Sequence, residues 1–185
     1  MALPGETLVS PTSGERVVFR KTAAETNGEL LELDFMLQPG DSVIATHIHP
    51  RQTEEFDVHA GIFALQRART TMLLRPGDST AVPVGTPHRL RNAGTTEAHA
   101  VVRFRPALDT EGLFELLFAI AAQRVSLPKR LLTLAARITD HPDEIYLAHI
   151  PLAAQKLLAR TLTPIARAYG CAPASPAKTR SQTTG

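Results

Sequence analysis

Two histidines separated by a single residue, His47 and His49, restrict the fold of this chain more than any other feature. On a β-strand, side chains two residues apart project to the same side, so both imidazoles can share one ion. Glu54 follows after four residues and can return a carboxylate to that point from the next strand. His88 supplies a third imidazole from a distant strand. A barrel that closes around the ion would bring this strand to the same point. The pattern therefore predicts a β-barrel around a metal site.

Strand signals dominate the chain from about residue 15 to residue 106. Short runs of β-branched and aromatic residues are broken every several residues by Gly, Pro, Asn or Asp. Regular short strands with turn residues between them are typical of a sandwich or a barrel. The predicted strands are 16–20, 30–37, 42–45, 54–59, 62–66, 71–74, 80–83 and 98–105.

The hydrophobic period becomes helical after Pro106. Asp109 and Thr110 can cap a first helix that runs through residue 124, and proline at 128 fits the first turn of a second helix over 126–138. A third helix is predicted over 151–169, with a kink at Pro164. We therefore expect a barrel at 1–106, a helical extension at 107–170 that packs on the barrel or on a dimer partner, and a disordered tail at 171–185.

The four candidate ligands also restrict the metal. Three neutral imidazoles and one carboxylate suit iron(II), manganese, nickel, copper(II) or zinc better than calcium or magnesium. Four protein ligands leave one or two positions open, as in catalytic rather than structural sites. Glu55 is an alternative carboxylate; if Glu54 faces the ion, strand alternation turns Glu55 outward.

The complete spacing resembles the two motifs of the cupin superfamily, G-(X)5-H-X-H-(X)3,4-E-(X)6-G and G-(X)5-P-X-G-(X)2-H-(X)3-N. The first is matched, with one extra residue after the glycine, by Gly40, His47, His49, Glu54 and Gly61. The second is matched without departure by Gly77, Pro83, Gly85, His88 and Asn92. The resemblance implies a jelly-roll barrel, the double-stranded β-helix, with metal-ligand roles for His47, His49, Glu54 and His88. It makes the glycines, Pro83 and Asn92 turn or scaffold positions.

Three functions agree with this resemblance. The first is a dioxygenase or other oxidoreductase that uses one divalent ion, with Fe(II) favoured, on a small organic substrate, and in which Glu54 also moves a proton. The second is an isomerase, cyclase, decarboxylase or lyase whose ion acts as a Lewis acid. The third is a binding module without catalysis. No helix-turn-helix signature flanks the barrel, which disfavours a DNA-binding regulator.

Other residues that could take part in chemistry have simpler interpretations. His59 is expected to face solvent. His99 stands on the last barrel strand, and the sequence leaves open to which face of the sheet it points. His141 and His149 are expected to be structural or exposed. Cys171 has no neighbouring base that would activate it. The candidate pocket-wall residues are Phe35, Phe56, Met72, Leu90 and Phe104, which are core residues by default.

Composition excludes several partners. The 20 basic residues are nearly balanced by 18 acidic ones, so nucleic acid is not expected as a partner. The single cysteine cannot form an intrachain disulfide, and the N-terminus lacks the pattern of a secretory signal. The longest apolar run, near 113–122, is far shorter than the ~20 residues of a membrane span. We expect a cytoplasmic homodimer that does not bind membranes.

Overall fold

The computed structural model describes residues 2–42, 45–122, 133, 143–168 and 179–180. Ten strands precede the first helix: β1 (Glu6–Val9), β2 (Arg16–Lys21), β3 (Leu31–Leu37), β4 (His47–Ile48), β5 (Thr53–Ala60), β6 (Phe63–Arg67), β7 (Thr70–Leu74), β8 (Ser79–Val82), β9 (His88–Asn92) and β10 (Ala98–Arg105). They are followed by α1 (Thr110–Ala122), β11 (Tyr146–Leu147), α2 (Leu152–Ala168) and β12 (Thr179–Arg180).

The strands form two antiparallel sheets that share one core. The larger sheet has the order β12-β1-β2-β3-β10-β5-β8, and the smaller has the order β11-β4-β9-β6-β7. Alternate residues of each strand point inward, because side chains alternate across a pleated sheet. A single apolar cluster includes Phe19, Leu33 and Phe56 from the larger sheet and Phe63 and Leu65 from the smaller one. The predicted mainly β, jelly-roll fold is confirmed.

The glycines of the two motifs occupy turns that other residues would strain. Gly61 has a φ of 72°, and a Cβ atom added there would lie 2.6 Å from the Cα atom of Ala98. A larger residue at 61 would therefore push the turn away from β10. Asn92, also from the motif, is buried and donates hydrogen bonds from Nδ2 to the carbonyls of Leu37 and Thr96. These residues act as scaffold.

The predicted strand over 42–45 differs from the structure. Of its described residues, Ser42 forms an isolated bridge with Arg91, and Ala45 lies in a bend. Four strands were absent from the predicted set, β1, β9, β11 and β12, and β4 was expected only from the spacing of the histidine pair. β1 and β11 are short, four and two residues, so their hydrophobic pattern is too brief to be recognised.

Helix α1 packs on the barrel and begins at Thr110 as predicted. Phe118 belongs to the main core, and the carboxylate of Glu111 accepts hydrogen bonds from the backbone N–H groups of Ala2 and Ala23. The helix therefore joins the core of the barrel at the side of β1 and β2.

The remaining C-terminal predictions are only partly covered by the structure. Helix α2 continues through Pro164, while the predicted helix over 126–138 lies outside the described residues except for Thr133. In the tail, Thr179–Arg180 pairs with β1, and the other tail residues are outside the described part. The division into a barrel, an extension and a tail stays a prediction. Neither described helix is long and apolar enough to cross a membrane.

Candidate metal centre

Three histidines meet on neighbouring strands of the smaller sheet. His47 on β4 lies directly opposite His88 on β9, and their ring centroids are 4.3 Å apart. His49 follows β4 two residues after His47, and its ring centroid lies 5.0 Å from that of His47 and 5.3 Å from that of His88. All three side chains are buried. The i, i+2 spacing and the cross-strand pairing together bring the imidazoles to one point.

The carboxylate comes from the larger sheet. Glu54 on β5 is buried, and its Oε2 atom lies 2.7 Å from Nε2 of His88 and 3.5 Å from Nε2 of His49. One potential ligand atom from each of His47, His49, Glu54 and His88 lies within 4.8 Å of the other three. The structure therefore brings together the four residues that the sequence selected, at a point between the two sheets.

Each imidazole is oriented by a backbone carbonyl. Nδ1 of His47 lies 3.1 Å from the carbonyl oxygen of Ala45, and Nδ1 of His88 lies 2.9 Å from that of Thr86. Nδ1 of His49 forms a short hydrogen bond to the carbonyl of Glu144. A carbonyl can only accept, so each Nδ1 must carry the proton and donate. In His47 and His49 the lone pair then resides on Nε2, as metal ligation requires. Nε2 of His88 donates to Oε2 of Glu54, so His88 would release that proton when an ion binds.

The protonation states of His47 and Glu54 suit a cation. Burial lowers the pKa of His47 to about 3, and repulsion from His49 and His88 adds to this effect. Burial favours protonation of Glu54, but contacts with the imidazoles of His49 and His88 outweigh it and hold the pKa below its usual range. Burial lowers the pKa of His88, yet the hydrogen bond to Glu54 outweighs it and raises that pKa. At neutral pH a carboxylate therefore faces a neutral His47.

One buried atom indicates that these residues fit a metal ion. Nε2 of His49 is buried and has no hydrogen-bond partner among the described residues. Leaving a buried polar atom unpaired costs about 1–3 kcal/mol, and a divalent ion would satisfy it together with the other three ligand atoms. The donor set of three imidazole nitrogens and one carboxylate suits iron(II), manganese, nickel, copper or zinc.

A small apolar cavity borders the centre. It encloses about 20 Å³, room for roughly one water molecule. Its lining consists of Glu54 and six apolar residues: Leu33, Phe35, Phe56, Leu90, Val102 and Phe114. Three of the five predicted wall residues thus line it; Phe104 instead contacts the ring of His49 at 5.5 Å between centroids, and Met72 packs at the edge of the core. Phe114 comes from α1, so the helix closes part of the cavity.

The alternative candidates lie away from this point. Glu55 points to the other face of β5, where its Oε1 atom is 3.6 Å from Nε of Arg105. His59 is exposed, as expected, and stacks on His99, whose Nε2 atom lies 2.7 Å from a carboxylate oxygen of Asp34. His99 therefore belongs to the outer face of the larger sheet rather than to the pocket. His149 is exposed, whereas His141 and Cys171 lie outside the described residues.

Comparison with known proteins agrees with this geometry. Residues 33–104 match the family model of the cupin domain. This segment is a cupin domain. It contains all four candidate ligands, and the predicted resemblance to the cupin superfamily is confirmed for this segment. No curated protein matches the chain in sequence.

Solved structures that resemble the cupin domain overlap with about half of the chain. A predicted oxalate decarboxylase from Thermotoga maritima is 18% identical, with a TM-score of 0.48 over 50% of this chain and 80% of that one. An RmlC-like cupin from Shewanella frigidimarina is 21% identical, with a TM-score of 0.48 over 56% and 86%. A sugar phosphate isomerase of the cupin superfamily, from Silicibacter pomeroyi, is 20% identical, with a TM-score of 0.47 over 54% of this chain and 70% of that one.

Sequence reasoning missed two residues that touch the site from outside the cupin domain. Glu144 orients His49 through its backbone carbonyl, and Phe114 lines the cavity. A carbonyl is common to all residues, so no residue type at 144 could reveal its role. Phe114 lies in the first predicted helix, but periodicity alone does not show which surface a helix covers.

Proposed function

We propose that this protein is a metal-dependent oxygenase that acts on a small, mainly apolar organic molecule, with iron(II) as the favoured ion. The observation that carries the proposal is the double position of Glu54. Its side chain belongs to the group of four ligands and also lines the apolar cavity beside them. Since the cavity holds only about one water molecule, a substrate would have to enter as part of the cavity wall moves outward, and it would then touch a carboxylate at the edge of the metal centre.

The ligand set leaves room for chemistry. When bound, an iron(II) ion would supply redox chemistry and open positions for dioxygen and for a chelating substrate such as an enolate, a catecholate or a β-diketone. The chain itself orients His47, His49 and His88 through three backbone carbonyls. Ligands fixed in this way lose little freedom when the substrate arrives.

The cavity wall supports a substrate with an apolar body. Six of its seven lining residues are apolar, so the space beside Glu54 offers few hydrogen-bond partners to water. The low pKa of Glu54 keeps it ionised, so its carboxylate can accept a hydrogen bond from an acidic hydroxyl group of the substrate. A sugar with many hydroxyl groups would leave these groups without partners against this wall, at a cost for each group.

Elemental analysis and oxygen uptake test the proposal. The full chain would be purified without added metal, analysed for bound metals, and then supplied with iron(II) and a panel of phenolic, catecholic and β-diketone compounds. We expect bound iron and oxygen uptake that depends on one class of substrate. The variant His88→Ala, which removes one ligand, should abolish both.

A different result would select another function. Tightly bound zinc or nickel without oxygen uptake would reject the oxygenase and favour the Lewis-acid enzymes. A chain that binds none of these ions would reject both. The expected homodimer and the cytoplasmic location stay predictions.

A further inference from the structure

A segment far from the cupin domain in sequence runs along the ligand strand. In β11, Tyr146 pairs with Ile48 and Leu147 pairs with His47. The backbone N–H group of Ala148 donates to the carbonyl of Thr46 at 3.0 Å. We call residues 143–148 the strap. It forms the outer strand of the smaller sheet, beside the two histidines of the first motif.

The strap provides the hydrogen-bond acceptor that orients His49. His47 and His88 each find a carbonyl two residues earlier in their own strand or turn. His49 instead donates from Nδ1 to the carbonyl of Glu144, 95 residues away. One of the three imidazoles is thus oriented by the C-terminal extension.

The orientation of His49 depends on this contact. Its Nδ1 atom bonds to the strap, and its Nε2 atom has no hydrogen-bond partner among the described residues. Without the carbonyl, the ring could carry its proton on Nε2 or turn its Nδ1 atom toward the site. Either change removes a correctly placed lone pair from the ligand set.

Several side-chain contacts hold the strap, among them the ion pair of Arg51 with Asp143 and the packing of Ile145 against Leu113. Two further anchors are hydrogen bonds between a side chain and backbone groups. The carboxylate oxygen Oε1 of Glu144 accepts a hydrogen bond from the backbone N–H group of Asp109 at 3.0 Å, just before α1. In α2, the amide of Gln155 accepts from the N–H group of Leu147 at 3.1 Å and donates to its carbonyl at 2.8 Å. Either anchor can be removed without touching the carbonyl that faces His49.

We propose that Glu144 is a positioning residue of the metal centre: its side chain fixes the strap to the start of α1, and its carbonyl then fixes the ring of His49. The proposal rests on the metal-binding part of the proposed function and not on the oxygenase reaction. Loss of a partner behind a metal-bound histidine typically weakens metal binding 10–100-fold. We expect a loss of about this size when the anchor of Glu144 is removed.

Cobalt(II) titration of the full metal-free chain tests this role. Affinity and the visible absorption of bound cobalt would be measured for the parent, Glu144→Ala and Glu144→Gln. The glutamine keeps an oxygen that can accept from Asp109. We expect Glu144→Ala to bind roughly 10–100-fold more weakly with an altered spectrum, and Glu144→Gln to resemble the parent.

Glu111→Ala provides a matched control. Glu111 and Glu144 are equally buried, at 5% exposure each, and both carboxylates accept backbone hydrogen bonds. Glu111, however, bonds to Ala2 and Ala23, away from the strap. Its loss should lower thermal stability but leave cobalt affinity and the cobalt spectrum unchanged. Equal weakening by Glu111→Ala and Glu144→Ala would overturn the positioning role.

The remaining outcomes are also decisive. A parent chain that binds no cobalt would overturn the metal-binding proposal and this inference with it. If Glu144→Ala binds cobalt as tightly as the parent, the positioning role is overturned, while the metal-binding proposal stands. If Glu144→Ala does not fold, Gln155→Ala loosens the other anchor of the strap. Weaker cobalt binding by that variant supports the role of the strap, and unchanged binding overturns it.

Discussion

The Oε2 atom of Glu54 lies 2.7 Å from the Nε2 atom of His88, although the two residues belong to different sheets. Glu54 stands on β5 of the larger sheet, and His88 begins β9 of the smaller one. The candidate metal centre therefore joins the two halves of the barrel. An ion held by both sides would resist their separation.

The first prediction is that metal binding raises thermal stability. A ligand that binds only the folded state stabilises it by about 2.7 kcal/mol at a concentration 100 times its Kd. For a chain of this size, that corresponds to an increase in Tm of roughly 5–10 °C. Thermal melts of metal-free protein with and without manganese, nickel or zinc would measure it. An equal increase in His88→Ala would show that the ion acts elsewhere.

The second prediction uses the neighbouring pair Glu54 and Glu55. Glu54→Gln removes the charge from the buried group of four ligands, whereas Glu55→Gln changes a carboxylate on the opposite face, beside Arg105. We expect calorimetric titration to show at least a tenfold loss of metal affinity for Glu54→Gln, which is about 1.4 kcal/mol. Glu55→Gln should bind like the parent. Similar losses in both variants would contradict the assignment.

The third prediction concerns stability in acid without metal. Burial lowers the pKa of His47 to about 3 from 6.5, so below pH 6.5 the unfolded chain binds a proton that the folded chain does not. His47 therefore reduces the free energy of unfolding by up to about 1.4 kcal/mol for each pH unit below 6.5. Denaturant titrations at pH 7.5 and pH 5 should show a smaller loss for His47→Gln than for the parent.

The raised pKa of His88 acts in the opposite direction. Its extra proton stabilises the folded state in acid, and this contribution disappears as the pH rises through its folded pKa. The comparison of His47→Gln with the parent leaves His88 in both proteins and so isolates His47. If acidification cost both proteins the same free energy, the buried neutral state of His47 would be refuted.

The fourth prediction concerns the metal itself. Imidazoles bind metals only when neutral, and the pKa of His88 is raised, so metal affinity should already fall as the pH drops toward the ~6.5 of free histidine. Equilibrium dialysis with zinc at pH 7.5, 6.5 and 5.5 would measure the change. Full occupancy well below pH 5 would indicate a different ligand set.

The fifth prediction concerns the helical extension. A chain that ends after Pro106 keeps all four candidate ligands but loses Phe118 from the main core and Phe114 from the cavity wall. We expect aggregation or a lower Tm, because the apolar surface under α1 becomes exposed. A chain that ends at residue 170 is the control. If the shorter chain remained monomeric with the parent's Tm, the extension would be a detachable module.

Residue spacing was sufficient to predict the barrel and its four candidate ligands. The pair His47 and His49 requires a strand for both rings to face one point, and the structure places His47 on β4. Strand alternation also separated Glu54 from Glu55, since one faces the centre and the other faces Arg105. Such features depend on the alternation of side chains along one strand, which can be predicted from residue spacing.

Contacts between distant segments were not predictable in the same way. The carbonyl of Glu144 reaches His49 only because β11 pairs with β4, and a strand of two residues has no detectable pattern. The side of the sheet on which His99 lies depended on the register of β10 against β3, which pairs His99 with Met36. Neither relationship is determined by residues that are neighbours in the sequence.

The position of the strap also has a consequence for biosynthesis. A polypeptide emerging from the ribosome presents His47, His49, Glu54 and His88 well before it presents Glu144, whose carbonyl orients His49. The nascent barrel can bring its four ligands together, but the imidazole of His49 has no fixed tautomer until the C-terminal part of the chain has been synthesised. If Glu144 has the proposed role, high-affinity metal binding is a late event that waits until the strap has been synthesised.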